Sequence, residues 1–331
     1  MRSTHLAEAR ARQALRASGL PFAGPLERAS STHNEIYLGE RWVVRINSDI
    51  TPRLEREASL YAALPDHPWT PVPVAFGGNT GSDYLIVERK PGRALAHHWP
   101  DLTPEHRKNA VRQLVEYLWL LHATPTPPDL RHPDHCPQLL DETARPPVAP
   151  MLAAIEQMRS NRSADRGLLD AMERATIDLA PALGLIDTTH LIHGDLTFEN
   201  VLWAPGSVTA IVDFEFSRGG PRDLELDVLL RFCAFPDLHI GELHAARTSV
   251  DDYASVPGWL AEYYPALFNC PRLQDRLMLY ALSFELDQML RNPSDSPRHR
   301  LDRRHPSNRV ASLLATGGYV VEMLGRAGVR V

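Results

Sequence analysis

Lysine is nearly absent from this chain. Of its 331 residues, 35 are lysine or arginine, and all but two of these, Lys90 and Lys108, are arginines. Any mechanism that depends on a lysine side chain therefore has only two candidate residues. If neither lies at the reactive site, arginine has to supply the positive charge there.

Cysteine is also scarce, and its pattern excludes two classes of protein. The three cysteines, Cys136, Cys233 and Cys270, are far apart in the sequence. An odd and dispersed set forms neither a disulfide framework nor a zinc-finger spacing, so we expect buried free thiols and a cytoplasmic protein. The 15 histidines fall mostly in loop-like stretches without further ligands nearby, so no transition-metal site is predicted.

Long apolar runs and excess positive charge are missing as well. No run approaches the ~18 apolar residues that a membrane span needs, and residues 1–17 are charged at helical spacing, unlike a signal peptide. The formal charge is −6, with 41 acidic residues. A nucleic-acid or anionic-membrane binder would carry a basic face or tail, so neither partner is expected.

The first part of the chain reads as a small lobe of helix and strands. A helix is predicted over His5–Ser18, because Gly19 and Pro21 end it. A second helix is predicted to open with Thr51 as N-cap and Pro52 at its first position. Short apolar runs bounded by glycine predict strands at Glu35–Leu38, Trp42–Ile46, Val72–Phe76 and Tyr84–Glu88. We assign residues 1–87 to this lobe.

A hinge at residues 88–92 and a mainly helical lobe at 93–331 complete the predicted architecture. Lys90-Pro91-Gly92 interrupts the strand pattern, and the apolar residues from Val111 to Leu121 then recur at helical spacing. Further helices are predicted near Met151–Met158 and Leu168–Ala180 and from Asp227 onward, with irregular loops over 125–150 and 291–309. The expected class is α+β, with an antiparallel sheet in the small lobe.

The segment from His193 to Trp203, HGDLTFENVLW, carries the chemistry. Asn200 follows Asp195 by five residues, and Asp213 comes at the end of the apolar run Val208–Val212. Phosphoryl transfer needs a group that accepts the proton of the attacking hydroxyl, and oxygen ligands for metal ions on the phosphates. Asp195 would be that base, with Asn200 and Asp213 as the oxygen ligands that Mg²⁺ prefers.

These motifs resemble those of the aminoglycoside phosphotransferase family, whose members share a two-lobed protein-kinase-like fold. HGDLTFENVLW is similar to the family's catalytic loop, and Ile211-Val212-Asp213-Phe214-Glu215 to its metal-binding segment. The resemblance implies that Asp195 is the catalytic base, that Asn200 and Asp213 bind Mg²⁺, and that His193 braces the loop. It also implies an aspartate anchor for the loop. Because the sequence departs from the family pattern there, Asp223 and Asp227 both remain candidates, with Asp227 preferred as the residue that opens the helix Val228–Phe232.

An ion pair is predicted inside the small lobe. Glu57 shares an apolar helix face with Leu54, Tyr61 and Leu64, and a carboxylate there is costly unless it is paired. Arg45, inside the predicted strand Trp42–Ile46, is the natural partner. The pair reproduces the strand–helix ion pair that positions nucleotide phosphates in kinases, with arginine in place of lysine. The alternative is an outward-facing Arg45 and a surface Glu57.

Two further segments are predicted to contact the nucleotide. The loop over residues 30–34, including Ser31, would cover the phosphates with hydroxyl and backbone N–H groups, although it lacks the glycine pattern of protein kinases. The resemblance implies that the carbonyl of Glu88 and the amide of Lys90 meet the adenine edge. The side chain of Lys90 is interpreted as an exposed hinge residue.

The acceptor is the open question at this stage. Thr197 lies where protein serine/threonine kinases typically carry a lysine, which favours a small-molecule acceptor. The resemblance implies an acceptor pocket among the C-terminal helices, where Glu262, Glu285 and Asp287 would suit a polycationic antibiotic. The leading hypothesis is phosphorylation of a small hydroxylated molecule from ATP, or GTP, with Mg²⁺. The alternatives are a kinase acting on Ser or Thr of a peptide and a nucleotide-binding pseudokinase scaffold.

Overall fold

A computed structural model describes residues 2–29, 34–130, 132–133, 135–141, 146–160, 165–184, 186–294 and 296–329. Its strands are β1 Glu27–Ala29, β2 Asn34–Leu38, β3 Trp42–Asn47, β4 Pro73–Gly77, β5 Tyr84–Glu88, β6 Arg93–Ala94, β7 Leu191–Ile192, β8 Val201–Ala204, β9 Ser207–Ile211 and β10 Arg218–Gly219. Its α-helices are α1 Arg2–Ala17, α2 Arg53–Tyr61, α3 Leu95–His98, α4 Pro104–Leu121, α5 Ala149–Arg159, α6 Arg166–Leu179, α7 Arg222–Ala234, α8 Glu242–Ala245, α9 Val256–Tyr263, α10 Pro265–Phe268, α11 Leu273–Arg291, α12 Pro306–Thr316 and α13 Gly318–Arg326.

The first five strands form one antiparallel sheet in the order β1-β2-β3-β5-β4. β3 and β5 pair without a register shift from Trp42↔Glu88 to Ile46↔Tyr84, so the predicted strands are confirmed with small changes in their ends. The predicted cap of α2 is wrong. Pro52 is the capping residue and no side chain caps the helix, because α2 begins at Arg53, one residue later than predicted. The Asn47 side chain donates to the Thr51 carbonyl just before it.

Helix α1 covers one face of this sheet. The buried side chains between them include Leu15, Tyr37, Val44 and Ile46, and the last two alternate along β3 as expected for a strand with one face on a core. This small core fixes β3, and β3 carries Arg45 into the interior. Helix α2 contacts β3, β4 and β5.

The segment between β5 and β6 makes a tight turn at Gly92. The φ angle of Gly92 is +107°, and a Cβ atom there would lie 2.6 Å from the carbonyl oxygen of Trp203. Only glycine accommodates both the backbone angle and this close approach. The turn joins the first sheet to the sheet β6-β8-β9, so the hinge predicted at residues 88–92 connects two sheets of the protein.

The remainder of the described chain is mostly helical around one large apolar core. Helix α4 contributes Val111, Leu114 and Leu118 to it, which confirms the predicted amphipathic face. The predicted loop over residues 291–309 is partly wrong, because α12 begins at Pro306, where proline at the first helical position and a hydrogen bond from the Ser307 amide to the His305 side chain start the helix. Among the described residues, no helix is both long and apolar enough to cross a membrane.

Candidate active site

Two short pairs of strands hold the catalytic loop. β7 pairs with β10 on one side of the loop, and β8 pairs with β9 on the other. The loop therefore begins and ends in hydrogen-bonded structure. At its start, Gly194 has a φ angle of +83°, and a Cβ atom there would lie 2.5 Å from the carbonyl oxygen of Phe216. This close contact brings the loop against the segment that follows Asp213.

Asp195 lies on this loop and is partly buried. Burial, with the neighbouring Asp213 carboxylate adding to it, raises the pKa of Asp195 to about 8. Both causes disfavour the charged form, since a buried carboxylate loses hydration and two carboxylates repel each other. The carboxylate consequently holds a proton more readily than an exposed aspartate does.

Asn200 is fixed at the end of the same loop. Its Nδ2 atom donates to the main-chain carbonyl of Asp195 at 2.8 Å. The main-chain carbonyl of Asn200 accepts from the Val212 amide at 2.9 Å. With the amide nitrogen engaged by the loop, the side-chain oxygen of Asn200 is left as an acceptor. The Val212 contact joins Asn200 directly to the residue before Asp213.

Asp213 follows β9 in a conformation that few aspartates adopt. Its φ angle is 66°, in the left-handed region, where asparagine and aspartate are the most tolerated residues after glycine. Its Oδ1 atom accepts from Nη2 of Arg45 at 3.1 Å. The side chain remains 41% exposed, so this carboxylate is both anchored and open to the cleft.

The predicted ion pair between β3 and α2 is present. Nη1 of Arg45 donates to Oε1 of Glu57, and the Glu57 side chain is 0% exposed. Burial opposes the charge on Arg45, but the Glu57 and Asp213 carboxylates outweigh it and raise the pKa of this guanidinium above its usual value. Arg45 therefore carries a permanent charge that links α2, β3 and the metal-binding segment. The alternative of an outward-facing Arg45 is excluded.

His193 is fully buried between the two segments of the site. Its Nε2 atom donates to the carbonyl of Val212 at 3.0 Å, and its ring lies 4.8 Å from the ring of Phe214. Burial lowers the pKa of His193, so the ring is neutral and acts as a hydrogen-bonded spacer. These contacts place His193 between the loop and the segment around Asp213, and its bracing role stays a prediction.

Glu225, which the sequence analysis missed, is the carboxylate that contacts the catalytic loop. Its two oxygens accept from the main-chain amides of His193 at 2.7 Å and of Gly194 at 2.8 Å. Burial opposes ionisation of Glu225, but the nearby His122 side chain and the hydrogen bond from the His193 amide outweigh it and lower the pKa of Glu225. The carboxylate is thus charged and holds the two residues immediately before Asp195.

The two aspartates predicted to anchor the loop, Asp223 and Asp227, bind other residues, so that prediction is wrong. Asp223 accepts from Arg276, and Asp227 accepts from Tyr319 at 2.8 Å. The physical reason is the start of α7 at Arg222, five residues earlier than predicted. Asp223 and Asp227, which are four residues apart, share one face of the helix. Glu225, two residues from each of them, points to the opposite side. Recognising Pro221 as the residue before the helix would have placed Glu225 correctly.

A second set of contacts ties α2 to the segment after Asp213. Arg56 donates to the carbonyls of Glu215, at 3.0 Å, and of Ser217. Tyr61, five residues further along the helix, packs edge-on against Phe214 with ring centroids 6.0 Å apart. Arg56 could not be predicted from the sequence, because one helical arginine cannot be told from another in so arginine-rich a chain.

The other residues predicted to contact the nucleotide lie in the hinge and in the loop before β2. Nζ of Lys90 lies 3.5 Å from Oε2 of Glu88, so this lysine pairs with its hinge neighbour. The main-chain amide of Lys90 has no main-chain acceptor among the described residues, which leaves it available at the cleft. Ser31, predicted to cover the phosphates, lies outside the described residues.

Each of the three carboxylates predicted for the acceptor pocket has a basic partner. Glu262 pairs with Lys108 at 3.0 Å, and Asp287 with Arg291 at 2.8 Å. Glu285 is 0% exposed. It is held in the interior by the guanidinium of Arg309. A buried and paired carboxylate cannot contact an acceptor, so the prediction for Glu285 is wrong. Glu285 and Asp287, two residues apart on α11, also point to opposite sides of the helix.

The donor set of the site suits a hard cation. Asn200 and Asp213 offer an amide oxygen and a carboxylate oxygen on adjacent backbone segments. Magnesium is usually bound by one or two such protein oxygens together with the phosphates of a substrate. In the described part of the chain, no cluster of three or more histidine, cysteine, aspartate or glutamate side chains could hold a metal ion.

Comparison with known protein families identifies the chain. The model of the phosphotransferase enzyme family matches residues 25–259, which include the first sheet, the catalytic loop and α7. The chain belongs to this family. The predicted resemblance and the predicted enzyme class, a phosphotransferase, are thereby confirmed. The curated proteins include one relative, the aminoglycoside 3'-phosphotransferase of Streptomyces fradiae, which is 30% identical over 172 residues. The match covers 48% of this chain and 57% of the relative, so it spans little more than half of that protein.

Solved structures of phosphotransferases confirm the predicted kinase-like fold. The aminoglycoside phosphotransferase APH(2'')-Ib with bound ADP gives a TM-score of 0.59 at 17% identity, with 96% of this chain and 99% of that one covered. A ternary complex of APH(4)-Ia with ADP and hygromycin B gives a TM-score of 0.55 at 16% identity, with 96% of each chain covered. At this level of identity, the comparison establishes the fold of this family member.

Proposed function

We propose that the protein transfers the γ-phosphoryl group of ATP to a hydroxyl of a small molecule, with Asp195 as the base and Asn200 and Asp213 as ligands of Mg²⁺. The observation that carries the proposal is the convergence of these three side chains. Asn200 binds the main chain of Asp195, and Asp213 follows the residue that binds Asn200. Arg45 joins the same group through Asp213.

The raised pKa of Asp195 suits the role of a base. When the acceptor hydroxyl attacks the γ-phosphorus, its proton passes to a carboxylate oxygen of Asp195, and the nucleoside diphosphate leaves with the electrons of the broken bond. The backbone of the loop must not move during this step, and Glu225 and His193 hold it. Mg²⁺ supplies positive charge for the phosphates when it is bound.

The nucleotide assignment is supported by the hinge and by structural relatives. The free amide of Lys90 and the carbonyl of Glu88 suit the edge of a purine base. APH(2'')-Ib is described with ADP, and a complex of APH(2'')-IIa contains streptomycin and ATP. We propose ATP as the donor for this chain, with GTP as the competing donor.

For the acceptor we propose a hydroxylated antibiotic or metabolite. The curated relative is an aminoglycoside phosphotransferase, and structural neighbours are described with gentamicin and with hygromycin B. In this chain, however, the three candidate carboxylates of the C-terminal helices are engaged by arginine or lysine. Acceptors that are not polycations therefore belong in the first round of tests.

A panel assay tests the proposal. Purified protein is incubated with Mg-ATP or Mg-GTP and with aminoglycosides, macrolides, amino sugars, choline-like amines and hydroxyl peptides, and products are detected by mass spectrometry. We expect an increase of one phosphoryl mass on a small-molecule acceptor. Product on peptides alone would favour a peptide kinase. Nucleotide binding without any product across the panel would favour a scaffold.

The matched variant for this assay is Asp195→Asn, which keeps the shape of the side chain and removes its basicity. We expect turnover to fall by about 10²- to 10⁴-fold, the usual contribution of a general base, with nucleotide affinity within about 3-fold of wild type, a loss of less than 1 kcal/mol. Turnover close to wild type would contradict the assignment of Asp195. Exposed Asp101, far along the chain from the loop, provides the control substitution Asp101→Asn.

A further inference from the structure

Arg53, the first residue of α2, carries a guanidinium nitrogen without a partner. Its Nη1 atom is buried and makes no hydrogen bond, and Arg53 has no ion pair to any carboxylate of the described chain. A buried donor that lacks an acceptor costs about 1–3 kcal/mol, and more when it is charged. Such groups are rare in native proteins, and each one asks for an explanation.

The geometry of α2 indicates which way Arg53 faces. Successive residues of an α-helix turn by about 100°, so the direction of Arg53 lies between those of Arg56 and Glu57, one turn further along. Side chains at these spacings are neighbours on the helix surface. Arg53 therefore borders the part of the protein that Arg56 and Glu57 contact.

Both of these neighbours contact the metal-binding segment. The Glu57 carboxylate binds Arg45, which in turn donates to Asp213. Arg56 donates to two main-chain carbonyls in the segment 214–217. Arg53 thus belongs to the helix face that borders the phosphate end of the cleft.

The side chains described so far at this end of the cleft supply little positive charge for the nucleotide phosphates. Arg45 is the arginine that replaces the usual lysine, but its charge is shared between the carboxylates of Glu57 and Asp213. Neither lysine of the chain can help, because Lys90 pairs with Glu88 and Lys108 with Glu262. Beside Mg²⁺ and the shared charge of Arg45, the three phosphate groups can still accept a further cationic side chain.

We propose that Arg53 binds the γ-phosphoryl group of the nucleotide, a role that rests on the function proposed above. The planar guanidinium presents paired N–H donors that match phosphate oxygens. The start of α2 adds the positive end of the helix dipole. Arg53 would act on the group that is transferred, while Arg45 holds the helix and the metal-binding segment together.

Calorimetric titration with two nucleotides tests this role. Mg-AMP-PNP contains a γ-phosphoryl group and Mg-ADP does not. For Arg53→Gln we expect a loss of about 10-fold or more in affinity for Mg-AMP-PNP, the size expected for a hydrogen bond to a charged group, and a change of at most about 2-fold for Mg-ADP. Arg53→Lys should recover part of the loss, since it keeps the charge but not the fork.

The control is Arg41→Gln, which removes an exposed arginine of the same sheet region and should leave both affinities unchanged. Equal affinities of wild type and Arg53→Gln for both nucleotides would overturn the role of Arg53 while leaving the proposed function intact. An equal loss for both nucleotides would overturn the assignment to the γ-phosphoryl group. Failure of the wild-type protein to bind either nucleotide would instead remove the proposed function, and this inference with it.

Discussion

At the scale of single residues, the arginine on β3 distinguishes this site. A lysine in that position would present one point charge, whereas Arg45 uses separate nitrogens for Glu57 and Asp213. The fork therefore joins three elements with one side chain. This arrangement follows from a composition in which arginine has replaced lysine almost everywhere.

The variants Arg45→Lys and Arg45→Ala separate charge from geometry. Arg45→Ala leaves the buried Glu57 without a partner, and we expect it to lower the free energy of unfolding by about 3–5 kcal/mol. Arg45→Lys keeps one ion pair and should cost less than half of that. Denaturant titration measures both values, and equal losses for the two variants would show that the charge on this residue contributes nothing.

Asp213 is expected to act through the metal ion. Asp213→Ala should weaken Mg-nucleotide binding by about 10-fold or more, because a carboxylate is among the few protein oxygens that Mg²⁺ uses. With excess chelator, wild type and variant should bind the nucleotide equally weakly. Calorimetry with and without Mg²⁺ makes the comparison, and a difference that persists in chelator would assign the effect to the lost contact with Arg45.

At the scale of elements, α7 shows how a helix distributes its carboxylates. Glu225 faces the catalytic loop, while Asp223 and Asp227, on the other side, bind residues of α11 and α13. All three are buried, and each has partners that stabilise its charge. The helix thereby connects the catalytic loop to the C-terminal helices.

The substitution Glu225→Gln tests this connection. An amide cannot accept from both the His193 and Gly194 N–H groups through two oxygens, so the loop loses a charged anchor. We expect turnover to fall by about 10- to 100-fold, of the order found when a supporting hydrogen bond to a site is lost, with nucleotide affinity nearly unchanged. Rescue by Glu225→Asp would not be expected, because the shorter side chain cannot reach.

The control for this experiment lies on the opposite face of α7. Tyr319→Phe removes the hydrogen bond to Asp227 and should cost stability by about 1 kcal/mol without reducing turnover. A similar loss of turnover in both variants would mean that the helix as a whole, and not Glu225, sets the position of the loop. Thermal melting of both proteins verifies that they remain folded.

The sequence predicted reactive groups better than it predicted what supports them. The structure brings together Asp195, Asn200, Asp213, Arg45 and Glu57, which could be predicted as site residues because they lie in a short motif or at a costly buried position. Glu225 was missed because its role depends on the starting residue of α7. Helix ends depend on tertiary contacts and are hard to read from one sequence.

At the scale of the whole molecule, strands of the first sheet were easier to predict than helix ends. β5 matches its predicted bounds, since glycine residues limit it on one side and the hinge on the other. β1 was missed because its sequence, Glu-Arg-Ala, has no apolar alternation. The pairing of β6 with β8 joins residues more than a hundred positions apart, which no local pattern reports.

The dependence of stability on pH provides a test of the packing near the end of α7. Burial, together with the charges of Arg231 and Arg309, lowers the pKa of His239 to about 3. Because an unfolded histidine titrates near 6.5, this group stabilises the fold fully above that pH and progressively less as the pH falls toward 3. Between pH 7 and 4.5 we expect its contribution to fall by about 2–3 kcal/mol.

The variant His239→Gln should flatten the loss of unfolding free energy over that pH range. The exposed His299 is the matched control, and His299→Gln should leave the pH dependence unchanged. Denaturant titrations at several pH values measure both. An identical slope for wild type and His239→Gln would show that the ring is hydrated in the folded protein.

The contacts that tie α2 to the segment after Asp213 have a consequence for how such an enzyme is controlled. Arg56 holds the carbonyls after Asp213, Tyr61 and His193 enclose Phe214, and Arg45 closes the group. Helix rotation of the kind that silences signalling kinases would break all of these contacts at once. Because these contacts form within the folded chain itself, we expect the protein to need no activating modification.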